Sequence, residues 1–396
     1  MPRRACCPPV RDSRLWVPLP RGGGWEALSG RTVAIFQPYI PWYRVKFFET
    51  LIQSLAAQAV TCTIISGDPA PAQDARGDAT HPEWTLEYHS AYRTIFHRQV
   101  DISVPLLRSA RTDAVIVGHL GSSLNTNLAV LRGLVGSTRV GLWGHIRSYT
   151  ADPNAIDVAV ERWQLRHADH VFAYTRGGTE HALAAGVLPR KITTVMNAVD
   201  TSDLAQALCG VDEESVRVFR ETYGLPDGRT VAFVGALDRS KRIAFLMECL
   251  ERVWETDPDV HVIVGGRGEL ESVIERWARD ERVVWIGRAG AAEKAIIAQV
   301  ASAIVMPGRI GLIANEALQM GIPILTTPWP YHAPEVEYLV EGESMRTSAS
   351  NTVGSFSSLI VDVVGSAPQR HLDWHAPTLD DMVANFSRGV LTMLSD

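Results

Sequence analysis

The sequence has no long apolar run, no cysteine framework and no excess of positive charge, and each absence excludes a class of protein. No uninterrupted apolar stretch among the 396 residues reaches the ~18–20 residues that a membrane-spanning helix needs. The five cysteines are irregularly spaced, without a Cys-x-x-Cys pair, so we expect no disulfide framework and a reducing, cytoplasmic setting. Acidic side chains outnumber basic ones by 44 to 38, which argues against a nucleic-acid-binding protein.

Length and composition indicate a globular chain of more than one domain. Hydrophobic residues make up 46% of the sequence and charged residues 21%, as in typical globular proteins, and one core rarely extends beyond roughly 250–300 residues. Residues 1–30 contain paired arginines and a run of glycines but no apolar signal-peptide core. They are therefore predicted to be a disordered N-terminal extension, with a short partner-binding tail as the alternative.

From Arg31 onward, short apolar runs rich in β-branched residues alternate with amphipathic helical stretches. Such alternation predicts parallel sheets covered by helices on both faces. The series restarts after a polar stretch near 201–225, so we predict an α/β fold of two Rossmann-like doubly wound domains facing each other across a cleft. The expected ranges are 31–205 and 206–375, followed by an amphipathic helix at 376–396. Ligands of such sheets bind where the carboxyl ends of the strands meet, which predicts a site between the domains.

The segment 307–317 combines a glycine-containing loop with the start of a helix. Free N–H groups at a helix start favour phosphate oxygens, and Gly311 allows a ligand to approach the backbone closely. Glu316, further into the helix, is placed to accept hydrogen bonds from a vicinal diol such as ribose. The alternative is a plain loop before a helix, with Glu316 in solvent.

A second candidate segment, 235–242, follows the first strand of the second half and carries three cations, Arg239, Lys241 and Arg242. Lys241 could act as a point charge on a diphosphate, and an arginine could bind it bidentately. Cations at a helix start oppose the helix dipole, and an anion between them would remove that conflict. A solvated basic helix start is the alternative.

In order and spacing, these segments resemble the donor domain of the family-4 retaining glycosyltransferases, which have the two-domain GT-B fold. The resemblance runs from about 190 to 345 and is thin in the N-terminal half. It rests on Asn197-Ala198-Val199-Asp200, Gly235-x-Leu237 with Lys241, Ile263-Val264-Gly265, Gly268-Glu269, Trp285-Ile286-Gly287, Pro307, Gly311-Leu312, Glu316-Ala317 and Gly321-Ile322-Pro323. The later His332-x-Pro334-Glu335-x-Glu337-Tyr338 resembles some bacterial polysaccharide glycosyltransferases.

The resemblance implies transfer of a sugar from a nucleotide-diphosphate donor with retention of configuration. It implies an acceptor-side N-terminal domain, a donor-side C-terminal domain and a terminal helix that packs back on the first domain. The implied roles are a diphosphate contact for Lys241, backbone N–H contacts for Leu312 and Ile313, a ribose contact for Glu316, and a place near the base for Trp285 to Arg288. His145, which ends Leu142-Trp143-Gly144-His145, is implied to face the donor sugar; a packed or surface histidine is the alternative.

Three departures from the family pattern bear on the donor. Gly308 stands where the family has the first of its two glutamates. Ala236 stands where the family usually has an arginine, and Arg239 or Arg309 could replace the charge of that arginine. The N-terminal glycine-rich loop is replaced by 38–44, whose aromatic residues could line the acceptor side or belong to the core. Gly308 and Ala236 keep open a non-catalytic nucleotide-sugar or glycan-binding protein. A nucleotide-sugar epimerase, another enzyme class on the same architecture, is a second alternative; it needs an acid–base pair near the sugar, for which the sequence offers His145 but no carboxylate pair.

The expected partners are a nucleotide-sugar donor and a glycan, lipid-linked or small-molecule acceptor. We expect no metal ion and no other cofactor, because no Asp-x-Asp pair lies at the expected cleft; Asp257-Pro258-Asp259 reads as a turn. Peripheral membrane contact at the inner face of the plasma membrane is a weaker expectation. It is motivated by Arg162, Trp163, Arg166 and His167, which otherwise read as an exposed helix face.

Overall fold

The computed structural model describes residues 30–70, 74, 77–95, 98–103, 105–106, 112–147, 155–365 and 370–395. The predicted extension at 1–30 lies outside this part of the chain, apart from Gly30. The described residues form two α/β units, each built on a parallel sheet, which confirms the predicted fold class.

The N-terminal unit has a seven-stranded sheet of order β11-β10-β9-β8-β1-β3-β5 in which every described pair is parallel. Its strands are β1 (Arg31–Gln37), β3 (Val60–Ser66), β5 (Thr85–Glu87), β8 (Ala114–Gly118), β9 (Arg139–Gly144), β10 (His170–Ala173) and β11 (Ile192–Thr194). The helices described between them are α1 (Trp42–Ala56), α2 (Leu124–Val135), α3 (Ala155–His167) and α4 (Arg176–Ala184). Two short antiparallel pairs were not expected from the sequence: β2 (Ile40–Pro41) with β4 (Ala79–Thr80), and β6 (Tyr92–Ile95) with β7 (Arg98–Asp101).

The C-terminal unit has a six-stranded parallel sheet of order β14-β13-β12-β15-β16-β17. Its strands are β12 (Thr230–Val234), β13 (His261–Gly265), β14 (Val283–Trp285), β15 (Ile304–Val305), β16 (Ile324–Thr326) and β17 (Met345–Thr347). The helices are α5 (Ser202–Gly210), α6 (Glu213–Tyr223), α7 (Ile243–Trp254), α8 (Glu271–Trp277), α9 (Ala291–Val300), α10 (Ile313–Met320) and α11 (Val353–Val363). All five residues of β12 are buried, as expected for a central strand covered on both faces.

The chain passes between the two cores twice. Leu204 and Leu208 of α5 pack in the C-terminal core, so the first crossing precedes Ser202. The last helix, α12 (Leu379–Ser395), returns to the N-terminal core, where the Phe386 ring stacks on Phe172 with centroids 4.6 Å apart. The first and the last of the described elements, β1 and α12, therefore share one core.

Candidate functional site

Two segments predicted separately from the sequence are in direct contact at the carboxyl edge of the C-terminal sheet. After β12, Asp238 caps a single 3-10 turn, Arg239–Lys241, by accepting from the Ser240 N–H at 2.8 Å. Lys241 Nζ donates to the Arg309 carbonyl at 2.5 Å, and the Arg309 N–H donates to the Ser240 carbonyl at 2.9 Å. The cationic turn and the loop that starts at Pro307 therefore form one unit.

Gly308 is the position where these two segments touch most closely. A Cβ atom there would lie 2.3 Å from the Ser240 carbonyl oxygen and 2.6 Å from the Lys241 carbonyl carbon, both backbone atoms. The backbone as folded admits only glycine, since such separations are well inside van der Waals contact. Gly308 stands where the resembled family has a glutamate, and the close packing of the cationic turn on the loop leaves no room for that side chain.

Arg242 differs from what was expected of the three cations. Its backbone is left-handed at φ 58°, and its guanidinium donates to the Pro307 carbonyl at 3.1 Å and to Asn351 Oδ1 at 2.6 Å. The guanidinium also lies over the Phe245 ring at 3.8 Å and the Trp329 ring at 4.6 Å. The Arg242 side chain thus holds the loop that starts at Pro307, and its donors are used within the protein.

The start of α10 presents unpaired backbone donors. Leu312 is the N-cap residue and Ile313 the first residue of the helix, while the Ala314 N–H bonds to the Gly311 carbonyl at 2.9 Å. In the part of the chain described, no carbonyl accepts from the N–H groups of Gly311, Leu312 or Ile313, as is usual for the first turn of a helix. These groups can receive phosphate oxygens.

Glu316 is the fourth residue of α10 and pairs with a residue that the sequence analysis missed. Lys294 Nζ lies 2.6 Å from Glu316 Oε1, and the two side chains are only 15% and 19% exposed. A signal was present in the sequence: a lysine in the first turn of a helix opposes the helix dipole and calls for an anionic partner. The partner itself could not be deduced, because it lies on another helix.

Arg239 and Arg288, both expected to contact the donor, lie at the surface. The Arg239 side chain is 89% exposed, 3.6 Å from the Glu269 carboxylate. Arg288 is also exposed, and it forms no ion pair among the described residues. Of the two candidates to replace the charge of the family arginine, Arg309 is better placed than Arg239. Its guanidinium donates to the Tyr331 carbonyl at 3.1 Å, and its charge acts on both His332 and His145.

His145 is the residue directly after β9, and it lies close enough to Arg309 for the charge of that arginine to act on its ring. Burial, together with the charges of Arg309 and Arg44, lowers the pKa of His145 to about 4. Its ring meets the Tyr174 ring edge-on at 5.0 Å. Because Arg309 belongs to the loop at 307–311, its charge links His145 of the N-terminal unit to that loop of the C-terminal unit.

His332 lies in the C-terminal unit beside the same loop. Its Nδ1 accepts from the Ile310 N–H at 3.2 Å, so the proton of the neutral ring is on Nε2. Burial lowers the pKa of His332 to about 4; Lys241 and Arg309 add to the shift, although a hydrogen bond with the Thr327 backbone opposes it. A neutral imidazole thus orders the backbone just ahead of Gly311.

The 3-10 helix Pro334–Tyr338 docks the C-terminal unit onto the N-terminal one. Buried Asn197, at the domain junction, donates to the buried Glu335 carboxylate and accepts from Arg44. Burial raises the pKa of Glu335, and its hydrogen bond with Asn197 and the charge of Arg44 oppose that shift. Asn197 therefore bridges a buried cation of one unit to a buried carboxylate of the other.

A second docking contact is made by Glu337 of the same 3-10 helix. Its Oε2 accepts from the Gly177 N–H, at the start of α4, at 2.7 Å. A negative charge is favourable there because of the helix dipole. Tyr338 adds a hydrogen bond to the Asn197 carbonyl at 3.1 Å. Since the Ala333 N–H also bonds to the Ile310 carbonyl at 2.8 Å, the residue just before the docking helix is tied directly to the loop at 307–311.

Comparison with known proteins finds a family match within the C-terminal unit. Residues 228–364, less than half of the chain, match the family described as Glycosyl transferases group 1. This range contains the Lys241 turn, the loop at 307–311 and Glu316. A search of curated proteins finds no match.

Solved structures that resemble the whole chain include both transferases and epimerases. Anabaena HepE in complex with UDP has a TM-score of 0.58 at 12% identity, covering 92% of this chain and 94% of that one. A glycosyltransferase from Rickettsia africae gives the same values. UDP-GlcNAc 2-epimerase from Methanocaldococcus jannaschii has a TM-score of 0.54 at 14% identity, covering 91% of this chain and 99% of that one. At such identities the likeness shows the GT-B fold alone.

Among the described residues, no helix is both long enough and apolar enough to cross a membrane.

Proposed function

We propose that this protein transfers a sugar, with retention of configuration, from a nucleoside diphosphate sugar to an acceptor held by the N-terminal unit. The observation that carries the proposal is the convergence of Lys241, Arg309 and the unpaired N–H groups at the start of α10, opposite His145. The family match over 228–364 supports a transferase. The UDP complex of the similarly folded Anabaena protein supports the choice of a nucleotide donor.

The leaving group in this reaction is a nucleoside diphosphate that gains negative charge as the bond to the sugar breaks. Lys241 and Arg309 supply two cations at one edge of the cleft, and the backbone of Leu312 and Ile313 supplies oriented dipoles. Groups fixed before the reaction stabilise developing charge without reorganisation. The contact between Lys241 Nζ and the Arg309 carbonyl holds the ammonium in place at this edge of the cleft.

His145 is proposed to contact the transferred sugar from the N-terminal side. With a pKa of about 4 it is neutral at physiological pH, so it can donate from one ring nitrogen and accept at the other. Trp42, the first residue of α1, is 54% exposed and offers an aromatic face to an acceptor. The acceptor class, whether glycan, lipid-linked or small molecule, stays a prediction.

Turnover of a panel of nucleotide sugars by the wild-type chain and by Lys241→Ala and Glu316→Ala tests the proposal. Each substitution is expected to lower kcat/KM about 30- to 1,000-fold while the circular dichroism spectrum stays native, because each removes a contact of ~2–4 kcal/mol. Unchanged kinetics in both variants would refute the site. The anomeric configuration of the product, read by NMR, tests retention.

The epimerase alternative is favoured by one observation, the similar fold of UDP-GlcNAc 2-epimerases. An epimerase needs an acid–base pair at the sugar, and the carboxylate that approaches Arg309 and Arg44, Glu335, is buried and already accepts from Asn197. Incubation of a UDP-sugar without acceptor separates the two functions. An epimeric UDP-sugar would favour the alternative, whereas transfer that requires an acceptor favours the proposal. Binding without either reaction would indicate a non-catalytic protein.

Membrane contact stays a prediction, and α3 is where it would be tested. A depression of about 330 Å³ on this helix is lined by residues that include Val158, Arg162, Trp163, Arg166 and His167. It combines apolar, aromatic and basic side chains, as interfacial helices do. Co-sedimentation with anionic vesicles, lost in an Arg162→Glu, Arg166→Glu variant, would support the prediction; no binding by the wild-type chain would remove it.

A further inference from the structure

The ion pair between Lys294 and Glu316 occupies an unusual place for a stabilising contact. Only four residues of the sequence are lysines, and two of them, Lys241 and Lys294, lie on the carboxyl edge of the C-terminal sheet. Lys294 and Glu316 are each the fourth residue of a helix, α9 and α10, that starts at this edge. The pair therefore stands beside the N–H groups proposed to hold the diphosphate, and not on a remote face.

The pair leaves hydrogen-bonding capacity at both of its ends. An ammonium has three donors and a carboxylate has two acceptor oxygens. In the part of the chain that the structure describes, Lys294 Nζ bonds to Glu316 Oε1 alone, and Glu316 Oε2 has no partner. The two side chains are 15% and 19% exposed, and Glu316 Oε2, which has no partner among the described residues, is not among the fully buried atoms, so a ligand can reach it. One donor and one acceptor thus lie side by side at a fixed spacing.

Two vicinal hydroxyls match this arrangement. One hydroxyl can donate to a carboxylate while its neighbour accepts from an ammonium, and both hydrogen bonds are strengthened by charge. A deoxy sugar at the same place would leave one charged group in the partly buried site without its partner. Such unpaired groups discriminate strongly between substrates that differ by a single hydroxyl.

We propose that Lys294 is a specificity-determining residue that, together with Glu316, reads both hydroxyls of the donor ribose. One ribose hydroxyl donates to Glu316 Oε2 and the other accepts from Lys294 Nζ. The donor is accordingly a ribonucleoside diphosphate sugar, and deoxyribonucleotide sugars are discriminated against. This inference rests on the proposed function, since it refines the same donor site.

Calorimetric titration with UDP, 2′-deoxy-UDP and 3′-deoxy-UDP tests the inference; GDP or ADP and their deoxy forms replace the series if either binds more tightly. The wild-type chain should bind each deoxy form about 10- to 100-fold more weakly than the parent, the range for one charged hydrogen bond. In Lys294→Met, affinity for the parent should fall by a similar factor, and the penalty should vanish for one deoxy form only. Lys46→Met, on the exposed outer side of α1, is the matched control.

The outcomes separate the inference from the proposed function. If Lys294→Met weakens the parent and both deoxy forms by one common factor, or leaves the parent unchanged, Lys294 does not read a hydroxyl and the inference fails while the proposed function stands. If the wild-type chain binds none of the nucleoside diphosphates, the proposed function fails with it. Should Lys294→Met not fold, the double variant Lys294→Met, Glu316→Gln leaves no unpaired charge in the site and removes the donor to the hydroxyl, so it must show the same selective loss.

Discussion

Replacement of Gly308 by alanine tests how the cationic turn and the donor loop fit together. The new Cβ atom would lie 2.3 Å from the Ser240 carbonyl oxygen and 2.6 Å from the Lys241 carbonyl carbon. Because both are backbone atoms, the two segments must separate by roughly 1 Å to restore ordinary contact distances. That movement shifts Lys241 away from the start of α10.

The size of the effect follows from this displacement. A misplacement of 1 Å in a positioned catalytic group can cost about 100-fold in rate, so kcat/KM of Gly308→Ala should fall by about that factor. Overpacking of this kind typically lowers the free energy of unfolding by about 1–3 kcal/mol, which leaves a folded protein. Gly354→Ala, where no atom lies within 4 Å of the added Cβ, is the matched control and should keep full activity.

The assay is donor turnover, paired with urea unfolding of each variant. A Gly308→Ala protein with wild-type kcat/KM would show that contact between the turn and the loop is not needed, and the packing argument would be wrong. The same geometry predicts that kcat/KM falls further in Gly308→Glu, which introduces the residue of the resembled family, than in Gly308→Ala.

Two further predictions concern the domain contact and pH. Glu337→Gln weakens the charge-assisted bond to the Gly177 N–H, so kcat should fall while donor affinity, measured by calorimetry, stays constant; altered donor affinity at unchanged kcat would contradict this role. His119, His145 and His332 each have a pKa lowered to about 4, mainly by burial. The unfolded chain protonates each imidazole near pH 6.5, whereas the folded chain does so only near pH 4. The free energy of unfolding should therefore fall as pH drops from 6.5 towards 4, by about 1–2 kcal/mol per histidine at pH 5; urea midpoints that are equal at pH 7 and pH 5 would contradict the buried, neutral state.

The architecture could be predicted from the sequence because the central strands are buried on both faces. A strand such as β12 reads as a continuous apolar run, and helices follow with their own period, so local pattern and tertiary burial agree. The pairs β2–β4 and β6–β7 escaped prediction, since strands of two to four residues carry little pattern. Their partners are also set by contacts beyond the local segment.

The sequence predicted the parts of the candidate site that lie within one segment, but not the contacts between segments. The roles expected of Lys241 and Glu316 came from their own segments, but the pairing of Glu316 with Lys294 joins two helices and has no local signature. Gly308 looked like a loss in the sequence, and only the packing of Ser240 and Lys241 against it explains why glycine stands there. The sequence analysis named Asn197 only as part of the family resemblance, and its bridge from Arg44 to Glu335 requires the folded chain.

A crystal structure of the chain with a bound nucleoside diphosphate tests the central claim most directly. The account predicts the diphosphate between Lys241 Nζ and the N–H groups of Leu312 and Ile313, with the ribose hydroxyls against Glu316 and Lys294. A nucleotide bound elsewhere, with Lys241 and Glu316 both without contact to it, would contradict the account.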